Sequence, residues 1–186
     1  MAYLSPNTMV IASDKSAYLE RDPATNFVNL VNQGVTQTLA NASGVMAQKR
    51  TIVADALAVT LTADQSGALC VFDKTDGAAF TLPAAEAGLW FDFVIVVAPS
   101  SVGHRVACAS GDFILGSIFL DDGDTGLTTT AQAFNGSSHL AIDMNAATDG
   151  WLAGGFFRLT AISGTQWVIH GHLLHTGNVA SPAATS

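Results

Sequence analysis

Residues 90–97 read WFDFVIVV and give the clearest strand signal in the chain. Aromatic and β-branched residues dominate this stretch, and both types favour strands. Pro99, Ser100 and Ser101 follow it and interrupt the strand. The stretch is also far too short to cross a membrane as a helix, which takes about 20 apolar residues. It therefore predicts a buried strand in a β protein.

Shorter strand-like segments surround this stretch throughout residues 51–176. Turn-forming pairs such as Asp76-Gly77 and Asn135-Gly136 separate them, and no convincing helical segment intervenes. The pattern predicts an all-β fold, an antiparallel and jelly-roll-like β-sandwich over 51–176, with a polar tail at 177–186. The predicted core residues are Phe72, Phe80, Phe91, Phe93, Ile95, Val97, Phe156 and Trp167.

The composition of the 186 residues narrows the class of protein. Hydrophobic residues make up 49% and charged residues only 12%, which is about half of the usual charged share of near 25%. Disorder of the whole chain is excluded, because disorder needs high charge and low hydrophobicity. A surface of Thr, Ser, Asn and Gly is typical of extracellular or virion β proteins whose surface is partly covered by neighbouring copies, and it favours an oligomer.

The charge is unevenly distributed along the chain. Residues 1–50 carry four basic against three acidic residues, whereas residues 51–186 carry three basic against twelve acidic residues. An acidic body argues against nucleic-acid binding, which would need a basic face, and against binding to anionic membranes.

Residues 1–50 show no sustained helical or strand period, although short apolar clusters interrupt their polar sequence. Such a segment has too few apolar residues to form a core of its own, yet it has too many to be a solvated tail. It is predicted to be an irregular, extended arm that becomes ordered against a partner. The predicted contact residues are Phe27, Leu30, Val31, Leu39, Lys49 and Arg50. The first residues lack the pattern of a signal peptide, which predicts synthesis and folding in a cytoplasm.

The acidic turn of Asp121, Asp122 and Asp124 is a candidate calcium site, because Ca²⁺ takes six to eight oxygen ligands. The EF-hand pattern is absent, since no bidentate glutamate follows at the required distance. A solvated hairpin turn is the preferred interpretation.

His170 and His172 are two residues apart on a predicted strand, so both rings should project to one face, with His175 where the strand ends. One chain supplies too few ligands for a tetrahedral zinc site. Three copies around a threefold axis would present six imidazole nitrogens, yet an ordinary edge strand explains the pattern equally simply. We predict no metal and no cofactor.

Catalytic patterns are missing from the sequence. It contains no Gly-x-Ser-x-Gly elbow, phosphate loop or dinucleotide fingerprint. Asp92 lies within an apolar strand, facing outward or buried, and no second carboxylate pairs with it in a glycosidase pattern. Cys70 and Cys108 are interpreted as buried free thiols. The chain is predicted not to be an enzyme.

Residues 61–72, 80–83 and 88–94 together resemble a pattern of tailed-phage virion proteins, in which "LTaadSG", "f.LP" and "G..f.f.v" open a β-domain. Residues 165–178, with Trp167 and Gly171, are similar to the closing strand of that domain. The resembled proteins are head decoration (cement) proteins and some fibre modules. The resemblance covers about residues 58–180 and leaves out the arm.

The resemblance implies a structural role on the outer surface of a phage capsid. Such a protein binds the major capsid protein, usually as a homotrimer, and stabilises the shell. A tail-fibre or receptor-binding module is the alternative, and it would carry exposed aromatic residues near loop tips, for example Trp151. A carbohydrate-binding or adhesin domain is a third class.

Overall fold

The computed structural model describes residues 8–10, 17–21, 28–32, 35–40, 50–124 and 128–185. The chain divides into two compact units, Met1–Lys49 and Arg50–Ser186. Within the described residues, strands dominate, and the helical elements are two short 3-10 turns, Ala63–Gln65 and Ala147–Asp149. The predicted all-β class is confirmed.

The N-terminal unit contains an antiparallel sheet in the order β1-β2-β3-β4. Its strands are β1 (Thr8–Val10), β2 (Ala17–Arg21), β3 (Val28–Asn32) and β4 (Val35–Ala40). This differs from the predicted irregular arm. The strands are only three to six residues long, so no apolar period is sustained over a window long enough to be noticed. A two-residue pair containing Gly34 separates β3 from β4 in sequence, and it is a hairpin signal that could have found them.

The second unit, here called the body, is a sandwich of two sheets. The five-stranded sheet has the order β16-β13-β10-β8-β6, and the seven-stranded sheet has the order β12-β11-β15-β14-β9-β7-β5. The strands are β5 (Ile52–Ala54), β6 (Val59–Thr60), β7 (Leu69–Phe72), β8 (Ala78–Thr81), β9 (Trp90–Ile95), β10 (His104–Ala107), β11 (Phe113–Asp122), β12 (Thr129–Asn135), β13 (Ala141–Met144), β14 (Phe156–Ala161), β15 (Gln166–His175) and β16 (Ala183–Ala184). The predicted sandwich is confirmed.

Strand pairing within the body differs from the predicted antiparallel, jelly-roll-like arrangement, because both sheets are mixed. β7 pairs in parallel with β9, β8 with β10, and β11 with β15. For the first two pairs the reason is that the chain alternates between sheets from β5 to β10, so that β7 and β9 lie in one sheet and β8 lies in the other. A chain that crosses to the facing sheet and returns runs again in its original direction, so the two flanking strands become parallel neighbours.

The core between the two sheets is rich in aromatic side chains. Phe72 and Phe80 come from facing sheets with ring centroids 5.0 Å apart, and Phe93 stacks on Phe157 at 5.0 Å. Six of the predicted core residues are buried, but Val97 is only half-buried and Phe156 is exposed. Phe157 occupies the core position in β14 instead of Phe156.

The segment predicted as a C-terminal tail contributes to the sheet. β16 pairs with β13, with Ala184 opposite Ala141 and Ala183 opposite Ile142. The polar composition of residues 177–186 concealed this two-residue edge strand. Among the described residues, none belongs to a helix of sufficient length and apolarity to cross a membrane.

Candidate binding surface

The two faces of the seven-stranded sheet differ in what covers them. In β9, Phe91 and Phe93 point into the sandwich and are fully buried, whereas the intervening residues point away from it. The same alternation runs through the neighbouring strands. We call the face turned away from the five-stranded sheet the outer face, and its central residues are Trp90, Asp92, Val94, Ser117, Phe119, Phe156, Arg158, Thr160, Val168, His170 and His172.

A row of aromatic and aliphatic side chains crosses the outer face. Phe119 lies opposite His172, His172 opposite Phe156, Phe156 opposite Val94, and Val94 opposite Val71. Directly opposed Cβ atoms are about 4.5–5.5 Å apart in a sheet, so these five side chains are consecutive neighbours. Phe119 is 50% exposed and Phe156 is 37% exposed. The row therefore presents two large aromatic rings to the exterior of the body.

The next row of the outer face contains an ion cluster around Asp92. Arg158 donates from Nε to Oδ1 at 2.6 Å and from Nη2 to Oδ2 at 2.8 Å. Arg50 adds an ion pair from Nη1 to Oδ2 at 2.7 Å. Asp92 is only 1% exposed, although it lies on the outer face, because the two guanidinium groups cover it. Both alternatives considered for Asp92 thus hold together: it faces outward and it is buried.

Trp90 supports both arginines of this cluster. The guanidinium carbon of Arg158 lies 4.3 Å from the Trp90 ring centroid, and that of Arg50 lies 5.0 Å from it. Arg50 also donates to the carbonyl oxygens of Gly67 and Ala68 at 2.9 and 3.0 Å. Cation–π contacts and bidentate carboxylate binding both favour arginine over lysine. The two arginines, and the Trp90 ring that supports them, explain why the sheet tolerates the buried carboxylate of Asp92.

The pKa of Asp92 is governed by two opposing effects. Burial favours the neutral acid and by itself would raise the pKa, but hydrogen bonds and charges from Arg158 and Arg50 outweigh it and hold the pKa below its usual range. Asp92 is therefore an ionised structural anchor, and it lacks the raised pKa expected of a general acid.

The outer face is nearly neutral within an acidic body. Of the twelve acidic residues in 51–186, only Asp92 and Asp121 occupy outward positions of the seven strands. Arg50 and Arg158 balance these two charges. The other ten carboxylates lie outside the outward positions of these strands.

His170 and His172 point to the same face, as predicted, and His172 lies between the two exposed phenylalanines in its row. Gly171 between them has a φ of 145°, and a side chain there would overlap the backbone of Phe157 on the adjacent strand. Within residues 50–124 and 128–185, no cluster of three or more His, Cys, Asp or Glu side chains could hold a metal ion. His175 points inward instead and is buried, with neither ring nitrogen bonded to a protein group.

Two carboxylates of the acidic turn accept hydrogen bonds from groups within or next to the turn. Asp121 accepts a hydrogen bond from Thr129 Oγ1 at 2.8 Å, and Asp122 accepts one from the backbone N–H of Asp124 at 2.8 Å. Both contacts belong to the connection between β11 and β12. They agree with the preferred interpretation of a hairpin turn.

The predicted arm residues are separated by the structure. Leu30 and Val31 lie in β3 and Leu39 lies in β4. Phe27 and Lys49 are outside the described residues. Arg50 belongs to the body, where it binds Asp92. The boundary of the N-terminal unit therefore falls after residue 49. Arg50 anchors Asp92 in the body, and its contact with a partner stays a prediction.

Buried polar side chains elsewhere in the body form hydrogen bonds with backbone groups. Asp55 Oδ2 accepts hydrogen bonds from the backbone N–H groups of Asp73 and Lys74 at 3.0 and 3.2 Å. His104 Nε2 donates to the carbonyl oxygen of Val97 at 3.0 Å, and burial lowers the pKa of the ring. No sequence pattern predicted a role for either residue, since each lies among small or turn-forming neighbours. Asp55 fixes the turn after β7.

Two further predictions concern the two cysteines and Trp151. Cys70 is buried, Cys108 is half-buried and the two do not form a disulfide, which agrees with the predicted free thiols. Burial raises the pKa of each thiol to about 12. Trp151, named as a possible exposed aromatic residue, is half-buried and packs against the core.

Comparisons with known proteins leave the family of this chain open: no family model, curated protein or solved structure matches it significantly.

Proposed function

We propose that this protein is a structural virion protein that binds the outer surface of a phage capsid and stabilises the shell. Two features support the proposal: the resemblance of residues 58–180 to head decoration proteins and the all-β sandwich of the body. The proposed partners are the major capsid protein and further copies of this chain, as a homotrimer. The proposed location is the outer surface of the virion.

The observation that carries the proposal is the division of the chain at residues 49 and 50. Residues 1–49 carry three basic and three acidic residues, whereas the body carries an excess of carboxylates. A neutral unit joined to an acidic body is suited to a contact with a shell, since it meets no net repulsion. We therefore assign capsid binding to the N-terminal unit.

The polar groups of the body support a structural role. Asp92 binds two arginines, Asp55 and Asp112 accept backbone N–H groups, and His104 donates to a carbonyl oxygen. Each of these residues stabilises the fold in a way that needs no substrate. No cofactor enters the proposal.

Deletion of residues 1–49 tests the proposal most directly. Arg50 must stay in the truncated protein, because its guanidinium covers Asp92. We expect the truncated protein to remain folded by circular dichroism and to lose binding to purified capsids in a co-sedimentation assay. Unchanged binding of the folded truncated protein would contradict the assignment.

Point substitutions in β3 test the same assignment without removing any residues. Leu30→Asp and Val31→Asp are expected to weaken capsid binding, whereas Asn29→Asp in the same strand serves as the control for added charge. If none of these proteins, including the wild type, binds capsids but the wild type binds host cells, the fibre alternative replaces the decoration role.

A further inference from the structure

We infer that a second copy of this chain packs on the outer face of the seven-stranded sheet, over the row that contains Phe119, His172 and Phe156. The inference deepens the proposed function and rests on it in one respect, namely that this function uses several copies of the chain. It adds the surface by which the copies meet.

The exposed aromatic side chains are contiguous on this face. Phe119 and Phe156 flank His172 across three neighbouring strands, β11, β15 and β14. Ile52 in β5, opposite Leu69, adds a further exposed aliphatic side chain to the outer face, whereas Leu57 and Val102 occur singly outside the strands. Scattered exposed residues are ordinary, but a contiguous apolar patch marks an interaction site. Aromatic residues are also enriched in interfaces, and charged residues are depleted from interface cores.

The charge distribution selects a second copy as the occupant. Any copy of this body carries the same excess of carboxylates and is repelled by the acidic surfaces of another. On the outer face, Arg50 and Arg158 balance Asp92 and Asp121. Two like-charged bodies can therefore approach through this face with the least repulsion. A strongly basic partner would instead be attracted to the other, acidic surfaces.

The size of the face is suited to a stable contact. Seven strands about 4.8 Å apart span about 30 Å, and three rows of outward residues span about 20 Å, which gives a flat area of roughly 600 Å². Two such faces together offer roughly 1,200 Å², which is the lower end of the total area of about 1,200–2,000 Å² that specific protein interfaces bury. The outward residues of the five-stranded sheet are small, such as Ala79 and Ala107, or charged, as in the ion pair of Arg105 with Asp143, and none of them provides a comparable aromatic anchor.

The test measures the mass of the full-length protein in solution by analytical ultracentrifugation over a range of concentrations. The wild type is expected to be a multimer at micromolar concentration. Phe119→Asp and Phe156→Asp place a carboxylate in the row, and each is expected to weaken association by about thirtyfold or more, as for the loss of an interface hot spot. Circular dichroism and urea unfolding verify that the variants stay folded.

Val102→Asp is the matched control, because Val102 is 60% exposed but lies in the connection between β9 and β10, away from the strands of the outer face. It introduces the same charge and should leave association unchanged. A wild type that is monomeric at 100 µM (roughly the top of the useful range) would overturn the inference. Equal association of the wild type and a folded Phe119→Asp variant would also overturn it, as would equal weakening by Val102→Asp. Phe119→Ser, which adds no charge, replaces Phe119→Asp if the latter does not fold.

Failure of this inference is distinguishable from failure of the proposed function. A multimer that depends on Phe119 but does not bind capsids leaves the inference standing and removes the decoration role. If the protein binds capsids but its self-association does not depend on Phe119 or Phe156, the decoration role stands and the inference fails. The two measurements use different partners and do not depend on each other.

Discussion

Arg158 binds both carboxylate oxygens of Asp92 from the neighbouring strand, through Nε at 2.6 Å and Nη2 at 2.8 Å. The two residues are direct cross-strand partners in β14 and β9. Arg50 binds Oδ2 of the same carboxylate and lies two residues before β5. One buried carboxylate therefore joins the first residue of the body to the middle of the seven-stranded sheet.

The shared carboxylate predicts that the two arginines are energetically coupled. Arg50→Met or Arg158→Met alone leaves Asp92 with one cationic partner and is expected to cost about 1–2 kcal/mol of unfolding free energy. The double variant leaves a buried, unpaired carboxylate and should cost about 3–5 kcal/mol or more, beyond the sum of the single effects. Urea unfolding of the four proteins completes a double-mutant cycle.

Lys74→Met is the control for this cycle, since Lys74 forms an exposed ion pair with Asp73 at 3.5 Å. Exposed pairs contribute little, so its unfolding free energy should change by less than about 1 kcal/mol. Strict additivity of the two arginine substitutions would show that the carboxylate is not shared.

The lowered pKa of Asp92 predicts an acid-dependent loss of stability. An unfolded aspartate has a pKa of about 3.9, and the folded value lies below it. The ionised carboxylate thus stabilises the fold fully above about pH 4, and this contribution disappears as the pH falls through the folded value. We expect the stability difference between wild type and Asp92→Asn to be largest near neutral pH and to narrow below about pH 4, as measured by urea unfolding across pH.

Asp143 provides a comparison of opposite sign. Burial raises its pKa, although Arg105 at 2.9 Å opposes the shift. Its folded state favours the neutral acid, so ionisation reduces stability as the pH rises from about 4 through the folded value. The free energy of unfolding of Asp143→Asn, relative to that of the wild type, should therefore be higher at pH 7 than at pH 3. If the stability difference from wild type changed with pH in the same direction for Asp92→Asn and Asp143→Asn, the opposite pKa shifts assigned to the two carboxylates would be contradicted.

The raised pKa values of both thiols predict slow chemical labelling. With a pKa of about 12, neither Cys70 nor Cys108 forms appreciable thiolate at pH 8. Ellman's reagent should react slowly with the native protein and rapidly in urea. Ser117→Cys, which places a thiol at an exposed position of β11, is the control that should react at once.

The sequence was most informative where one face of a strand is buried. Alternation in β9 placed Phe91, Phe93 and Ile95 in the core correctly. In β14 the adjacent residues Phe156 and Phe157 are identical in type, so composition alone could not tell which ring points inward. The difference depends on register with β9 and β15, and tertiary pairing determines it.

Long-range contacts account for the rest of what the sequence left undecided. Asp92 and Arg158 are 66 residues apart in sequence, and no local pattern relates them. Parallel pairing of β11 with β15 likewise depends on the path of the chain between sheets. The same-face placement of His170 and His172 needed only the two-residue period of a strand, and it was therefore predictable.

Substitution of the two adjacent phenylalanines of β14 separates the core from the proposed interface. Phe157 is fully buried and stacks on Phe93 at 5.0 Å, so Phe157→Ala should cost about 3–5 kcal/mol of unfolding free energy. Phe156 is partly exposed on the opposite face, and Phe156→Ala should cost less than about 1 kcal/mol in the dissociated protein. Self-association should be weakened by Phe156→Ala and not by Phe157→Ala, because only Phe156 lies in the proposed interface. Urea unfolding at high dilution measures the first effect, and sedimentation of the folded proteins measures the second. A large loss of stability in Phe156→Ala at high dilution would place its ring in the core and contradict the register of β14.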